Sequence, residues 1–209
     1  MTSMEEELFQ KYQITEIQHP QYPELKRIKA LRNIEYGCVW AGTLGGYVEH
    51  AHNLSQEGDC WIADEAICRG NARVTENARM MKFSKAEDEV VLTGKAVLTG
   101  HSIAKGNAYI ENAYVRDNAQ ILSGAVVKPD FEGGYAPVIS TNAVIEGTVS
   151  GWFVIEDTKI NAGEILKNGR KEELIAVEYG KYRIVEGGEL QPAQKHQKNK
   201  ERKEKQPER

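Results

Sequence analysis

One residue in six is small along the middle third of this 209-residue chain, and two places later comes an aliphatic or otherwise apolar residue. Cys60, Ala66, Ala72, Ala78, Ser84, Val90, Ala96, Ser102 and Ala108 hold the small phase. Ile62, Cys68, Val74, Met80, Ala86, Leu92, Leu98, Ala104 and Ile110 hold its partner. One residue is dropped after Ala108, and the pattern resumes at Ala113, Ala119 and Ala125 with Val115, Ile121 and Val127. A helix repeats about every 3.6 residues and a strand about every 2, so neither produces this spacing. A parallel β-solenoid of hexapeptides does. The expected fold class is all-β: a single-stranded parallel β-helix with small β caps at both ends.

Twelve hexads run from Cys60 to Val127, and three hexads per coil give four coils, each rising ~4.8 Å. Gly70, Gly100 and Gly106, with Asn71 and Asn107, come just before the small position. Gly and Asn tolerate the positive φ of a sharp corner. Residues eighteen apart then stack. The inner columns expected are Ile62–Met80–Leu98–Val115, Cys68–Ala86–Ala104–Ile121 and Val74–Leu92–Ile110–Val127. The outer columns are Arg73–Val91–Tyr109–Val126, Arg79–Val97–Tyr114 and Ile67–Lys85–Ile103–Gln120. Val91, Val97, Ile103, Tyr109, Tyr114 and Val126 therefore face outward, and an outward apolar cluster marks a contact surface or a face covered by the C-terminal segment.

The flanks divide the chain further. Residues 1–57 read as an N-terminal cap with a β-hairpin, Tyr12–Ile17 and Leu25–Ile34, on either side of a proline turn at 19–24. Gly37–Glu49, with Gly42, Gly45 and Gly46, reads as a tight-turn segment. Residues 58–128 are the solenoid, and 129–151 a loop with one possible last coil. Pro129–Ser140 holds Gly133-Gly134 and two prolines, and loops inserted on solenoids carry function, so Phe131 and Tyr135 join the candidate binding surface. Residues 152–190 read as a C-terminal β cap in which Asn168-Gly169 signals a hairpin. Residues 191–209 carry seven Lys/Arg against three Glu and almost no apolar side chain, a composition expected to be disordered. Its basic charge suits solubility or a weak nucleic-acid contact.

Net charge is −4 over the chain, which argues against a chain-wide nucleic-acid surface. Cys38, Cys60 and Cys68 make no disulfide framework; the latter two fall on the repeat's own phases and read as core residues in a reducing cytosol. The acidic N-terminus does not read as a signal peptide, and no stretch reaches the ~20 apolar residues of a membrane helix. A cytoplasmic protein that does not engage membranes is expected.

The x-G-N-A-x-[VI] hexads Arg69-Gly-Asn-Ala-Arg-Val74 and Lys105-Gly-Asn-Ala-Tyr-Ile110 resemble those of the hexapeptide-repeat, left-handed β-helix proteins. That resemblance implies left-handed winding. It opens three activities: acyl-CoA- and acyl-carrier-dependent transfer, sugar-nucleotide transfer and γ-class carbonic anhydrase chemistry. Leu31-Arg32, Ala41–Glu49 and Asn53–Trp61 are similar to the head of uncharacterised phage and bacterial repeat proteins labelled transferases on repeat similarity. The likeness covers residues 12–127 and implies a phage flavour but no reaction.

The catalytic inventory is thin. His101 is the one histidine within the repeats, at a corner where other hexads carry Asn, stacked between Phe83 and Asn118. Glu111 is the nearest acidic residue in the pattern. An acyltransferase needs a general base of this type, and its cofactor would be acetyl-CoA or another acyl-CoA; a binder needs none. His50 and His52 suggest a metal pair, but zinc wants three or four ligands, and γ-class carbonic anhydrase needs three histidines in the repeats. Glu87-Asp88-Glu89 reads as a solvated corner. No metal site is expected. The leading expectation is a non-catalytic scaffold recognising a protein partner or itself, as a homotrimer, through its outer faces and the 129–140 loop. The alternatives are an acyl-CoA-dependent acyltransferase using His101 and a phage-encoded modulator of a host protein.

Overall fold

In the computed structural model, which describes residues 10–186 and 189–190, each hexad places two or three residues on a short strand and the rest on a corner. Three flat walls result. The first stacks Trp61–Ile62, Arg79–Met80, Val97–Leu98 and Tyr114–Val115. The second stacks Ile67–Cys68, Lys85–Ala86, Ile103–Ala104 and Gln120–Ile121. The third stacks Arg73–Val74, Val91–Thr93, Tyr109–Glu111 and Val126–Lys128. Every pair is parallel, and the register is the one the repeat requires, with Ile62, Met80, Leu98 and Val115 in one file. Both phases point inward and are buried throughout, so burial of these small and aliphatic side chains holds the coils together.

The corners explain the acidic residues between strands. Asp64, Glu76, Asp88 and Asp117 all have positive φ. Their backbone strain is offset by axial hydrogen bonds. Asp64 Oδ2 accepts from the Lys82 N–H at 2.8 Å, Glu76 Oε2 from Gly94 at 2.8 Å, and Asp88 Oδ2 from Gly106 at 3.0 Å. Each bond joins one coil to the next, so the chain has a side-chain ladder at its edges as well as backbone ladders on its walls.

Tyr12–Gln18 and Lys26–Ala30 form an antiparallel hairpin whose buried Tyr12, Ile28 and Ala30 cover the first coil. The segment read as a tight turn is different. Leu44–Val48 is a strand, antiparallel to Lys26–Ala30 and parallel to Ile67–Cys68, and it starts the second wall. Gly45 and Gly46 are glycine for space: an added Cβ would lie 2.5 Å from Ile62 O and from Ala66 O respectively. Only Gly42, at φ +88, serves a turn.

The solenoid also continues beyond residue 128. The inserted loop is over by Val138–Ser140, which is the next strand of the first wall. Val144–Ile145, Thr148–Gly151, Phe153–Glu156, Lys159–Ile160 and Ile165–Asn168 extend the three walls, for about seven turns in all. Asn168-Gly169 is a corner between walls rather than a hairpin, because Ile165–Asn168 pairs with Thr148–Gly151 while Glu173–Glu178 pairs with Phe153–Glu156. The cap proper is the hairpin Glu173–Glu178 with Lys181–Glu186, turned by Tyr179-Gly180. The basic stretch 191–209 lies outside the described residues.

Candidate functional site

The turn at 19–22 folds back over the outside of the second wall. Leu25, Tyr47 and Ile67 form a small buried cluster there, with Tyr22 packed on it. The Arg69 guanidinium lies over the Tyr22 ring at 5.5 Å, and Arg27 over the Tyr47 ring at 4.5 Å. Arg27 also pairs with Glu65. These contacts hold the turn in place although its prolines bar regular structure.

Between this turn and the corner bearing His101 lies a cleft of ≈ 390 Å³. His19, Pro20 and Tyr22 form one side, Phe83 and His101 the other, with Glu65 and Lys85 between. The His101 imidazole lies flat on Phe83, centroids 5.0 Å apart and planes 5° from parallel. That contact follows from the stacking of Phe83 one coil below. The His101 N–H of the backbone donates to Asp117 O at 2.7 Å, which fixes the corner and leaves the ring in the cleft. His19 Nδ1 accepts from the Gln21 N–H at 3.1 Å, so the neutral ring carries its hydrogen on Nε2. The cleft thus offers one imidazole fixed by stacking, a second imidazole as donor, and the Lys85 ammonium. Glu111 is not part of it. That carboxylate lies on the third wall, where the Tyr109 hydroxyl donates to it at 3.1 Å, and burial pushes the Tyr109 phenol above its ordinary range.

The outward apolar residues are not one surface. Val91, Tyr109 and Val126 stack on the third wall, Val97 and Tyr114 on the first, and Ile103 on the second. The loop aromatics also separate. Tyr135 stacks on Trp152 at 4.0 Å. Phe131 lies under the Lys171 ammonium at 4.8 Å and lines a larger bowl of ≈ 830 Å³ with Lys95, Glu111, Asn112 and Lys128. Asp130 ties this loop to Ser150 and Lys167, at 3.1 and 3.2 Å. The bowl is the larger cavity, but it holds no histidine or thiol.

His50 and His52 stack on each other at 5.1 Å in a short 3-10 turn rather than along a strand. His52 Nε2 is 3.1 Å from Gly70 O. Among the described residues, no group of three His, Cys, Asp or Glu side chains is placed to hold a metal ion. Glu87, read as a solvated corner, is buried and bridges Arg69 and Lys105 at 2.7 and 2.9 Å. The sequence reading also missed His19, whose signal was only tertiary, and Lys85, which it placed in an outer column without a role.

No described helix is long and apolar enough to cross a membrane. No protein-family profile matches the chain. Over 91 residues the chain is 37% identical to the "Uncharacterized acetyltransferase YdcK" of Escherichia coli strain K12. That stretch covers 40% of this chain and only 28% of the relative. A hexapeptide-type β-solenoid with partial sequence similarity to an acetyltransferase is therefore the extent of the kinship.

Proposed function

We propose that the protein is an acyl-CoA-dependent acyltransferase whose acceptor binds in the His19–His101 cleft. The observation that carries this reading is the His101 ring, oriented by Phe83 and facing a cleft with no described residue bonded to either ring nitrogen. The acetyltransferase relative supports the reaction class. The neutral imidazole removes a proton from an acceptor hydroxyl or amine as the acceptor attacks the thioester carbonyl. The resulting imidazolium returns that proton to the departing thiolate, so His101 is neutral again after each turnover. Lys85 holds an anionic group of the acceptor, and His19 Nε2–H donates to it.

Release of CoA thiol from acetyl-CoA, followed over a panel of small amines and alcohols, tests this. His101→Ala is expected to lower the rate about 100-fold or more without loss of fold. An unchanged rate removes His101 from the reaction, and absence of both turnover and acetyl-CoA binding removes the enzyme reading. A second reading keeps the non-catalytic binding role on the third wall, where Val91, Tyr109 and Val126 form a continuous apolar column. Sedimentation of Tyr109→Glu tests it, and an unchanged species removes self-association through that column.

A further inference from the structure

Lys11 immediately precedes the first cap strand, and its side chain runs beneath the first coil, fully buried. Its Nζ lies 3.0 Å from Cys60 Sγ, 3.2 Å from Glu57 O and 3.3 Å from Gly58 O. No described carboxylate forms an ion pair with it. A buried lysine ordinarily finds an acid or loses its charge; this one meets a thiol. Cys60 is also fully buried and occupies a repeat position that elsewhere takes Ala, Ser or, at residue 90, Val, so packing alone does not require sulfur there. Burial holds the Lys11 amine below the ordinary lysine range, which favours a free lone pair on nitrogen. Cys68 is equally buried, but its sulfur meets only the carbonyls of Asn53 and Ala72, both at 3.6 Å. One turn, Ser55–Gly58, separates the pair from solvent, and a shallow cavity of ≈ 450 Å³ opens against Ser55, Glu57 and Gly58 on its outer side.

We propose that Lys11 and Cys60 are an oxidisable pair which hydrogen peroxide joins through a single oxygen atom, as Nζ–O–Sγ. The first peroxide oxidises the thiol to a sulfenic acid and leaves as water. A second peroxide removes two electrons from the sulfenic acid and amine together. The sulfenic oxygen then bonds to nitrogen, and two further waters leave. The sum is R–SH + R′–NH2 + 2 H2O2 → R–S–O–NH–R′ + 3 H2O. The bridge staples the strand Tyr12–Gln18 to the first coil, and thiols reverse it, so the solenoid's N-terminal cap becomes a redox-sensitive closure.

The test uses the full chain carrying Cys38→Ser, which removes the exposed thiol. Peroxide is added without reductant and the intact mass is read. The expected product is heavier by one oxygen less two hydrogens, about 14 Da, and dithiothreitol returns the original mass. A tryptic map of the same sample shows the Lys11 and Cys60 peptides linked and cleavage after Lys11 lost. Lys11→Arg abolishes the linked species, and the map of the Lys11-bearing protein decides the matter alone if that variant does not fold. Whole-oxygen gains on sulfur without linkage overturn the proposal. So does a two-hydrogen loss without oxygen, or an unmodified Cys60 under peroxide that fully oxidises Cys38 in the unsubstituted chain.

Discussion

Glu87 reaches down one coil to Arg69, with Oε1 2.7 Å from Nη2. Its other oxygen reaches up one coil to Lys105. One buried carboxylate thus sits in the coil between two cations of the same file and bonds to both. Exposed pairs are worth little, but here the acid side chain is only 9% exposed while its partners are 36% and 48% exposed. Glu87→Gln is expected to cost about 1–2 kcal/mol, because amide hydrogen bonds do not offset the like charges. Urea unfolding at low and high salt checks this: the loss should shrink as salt screens the two cations, and a salt-independent loss would point to packing instead.

Two glycines separate crowding from backbone strain. Gly45 has an ordinary φ, but a Cβ there would meet Ile62 O at 2.5 Å and the Trp61 ring at 2.6 Å. Gly124 has φ +83 with nothing within 4 Å of a Cβ. Gly45→Ala should therefore cost about 3 kcal/mol by forcing the starting strand off the second wall. Gly124→Ala should cost only about 1 kcal/mol, for the left-handed backbone. Thermal or denaturant midpoints of the two variants rank them, and a reversed order would mean that corners, not wall contacts, limit stability.

The fold from Trp61 to Lys128 was legible because a strict six-residue step leaves no freedom: once Ile62 and Met80 share a file, Leu98 and Val115 follow, even across the residue dropped after Ala108. Beyond that point the step varies. Tyr114 pairs with Val138 across the inserted loop, Val138 with Val154, Val144 with Lys159 and Phe153 with Ile175, four unequal intervals. The walls persist there because main-chain hydrogen bonds do not require equal corners, whereas a periodicity reading does. The stack of His101 on Phe83 was legible from the same arithmetic. The other side of the cleft was not, since the turn bearing His19 reaches it through Tyr22, Tyr47 and Ile67, residues with no fixed spacing. Lys11 beside Cys60 was hidden for the same reason.

Lys11 gives stability a definite pH slope. Burial lowers its pKa in the folded chain, so between the folded value and the ordinary lysine range the unfolded chain binds more protons. Stability from this group then rises with pH through that window. Cys60 acts oppositely: burial raises its pKa, and stability falls as pH climbs above the ordinary thiol range. Lys11→Met removes the rising contribution. It also removes the side-chain partner that restrains the Cys60 shift, so both changes act in one direction. Relative to the parent, the variant should lose ground steadily from pH 8 to pH 10 in urea titrations. A constant difference across that range would show that Lys11 titrates normally.

The C-terminal hairpin carries an avoidable cost. Tyr179 and Gly180 form its two-residue turn at φ +48 and +70, between the paired Glu178 and Lys181. Positive φ at both positions is the type I′ geometry whose favoured residues are Asn-Gly. An aromatic residue pays backbone strain at the first position, and Tyr179, 69% exposed, recovers little by burial. Gly180 meets the need at the second position, and its N–H donates to Thr158 Oγ1 at 3.1 Å. Tyr179→Asn should therefore stabilise the protein by about 0.5–1 kcal/mol. Hydrogen exchange is the sharper measurement, since the gain should appear as slower exchange in Glu173–Glu178 and Lys181–Glu186 while the walls built on Ile62 and Val74 stay unchanged. Faster exchange in that hairpin would mean that the Tyr179 ring holds the cap through packing that outweighs its strained backbone.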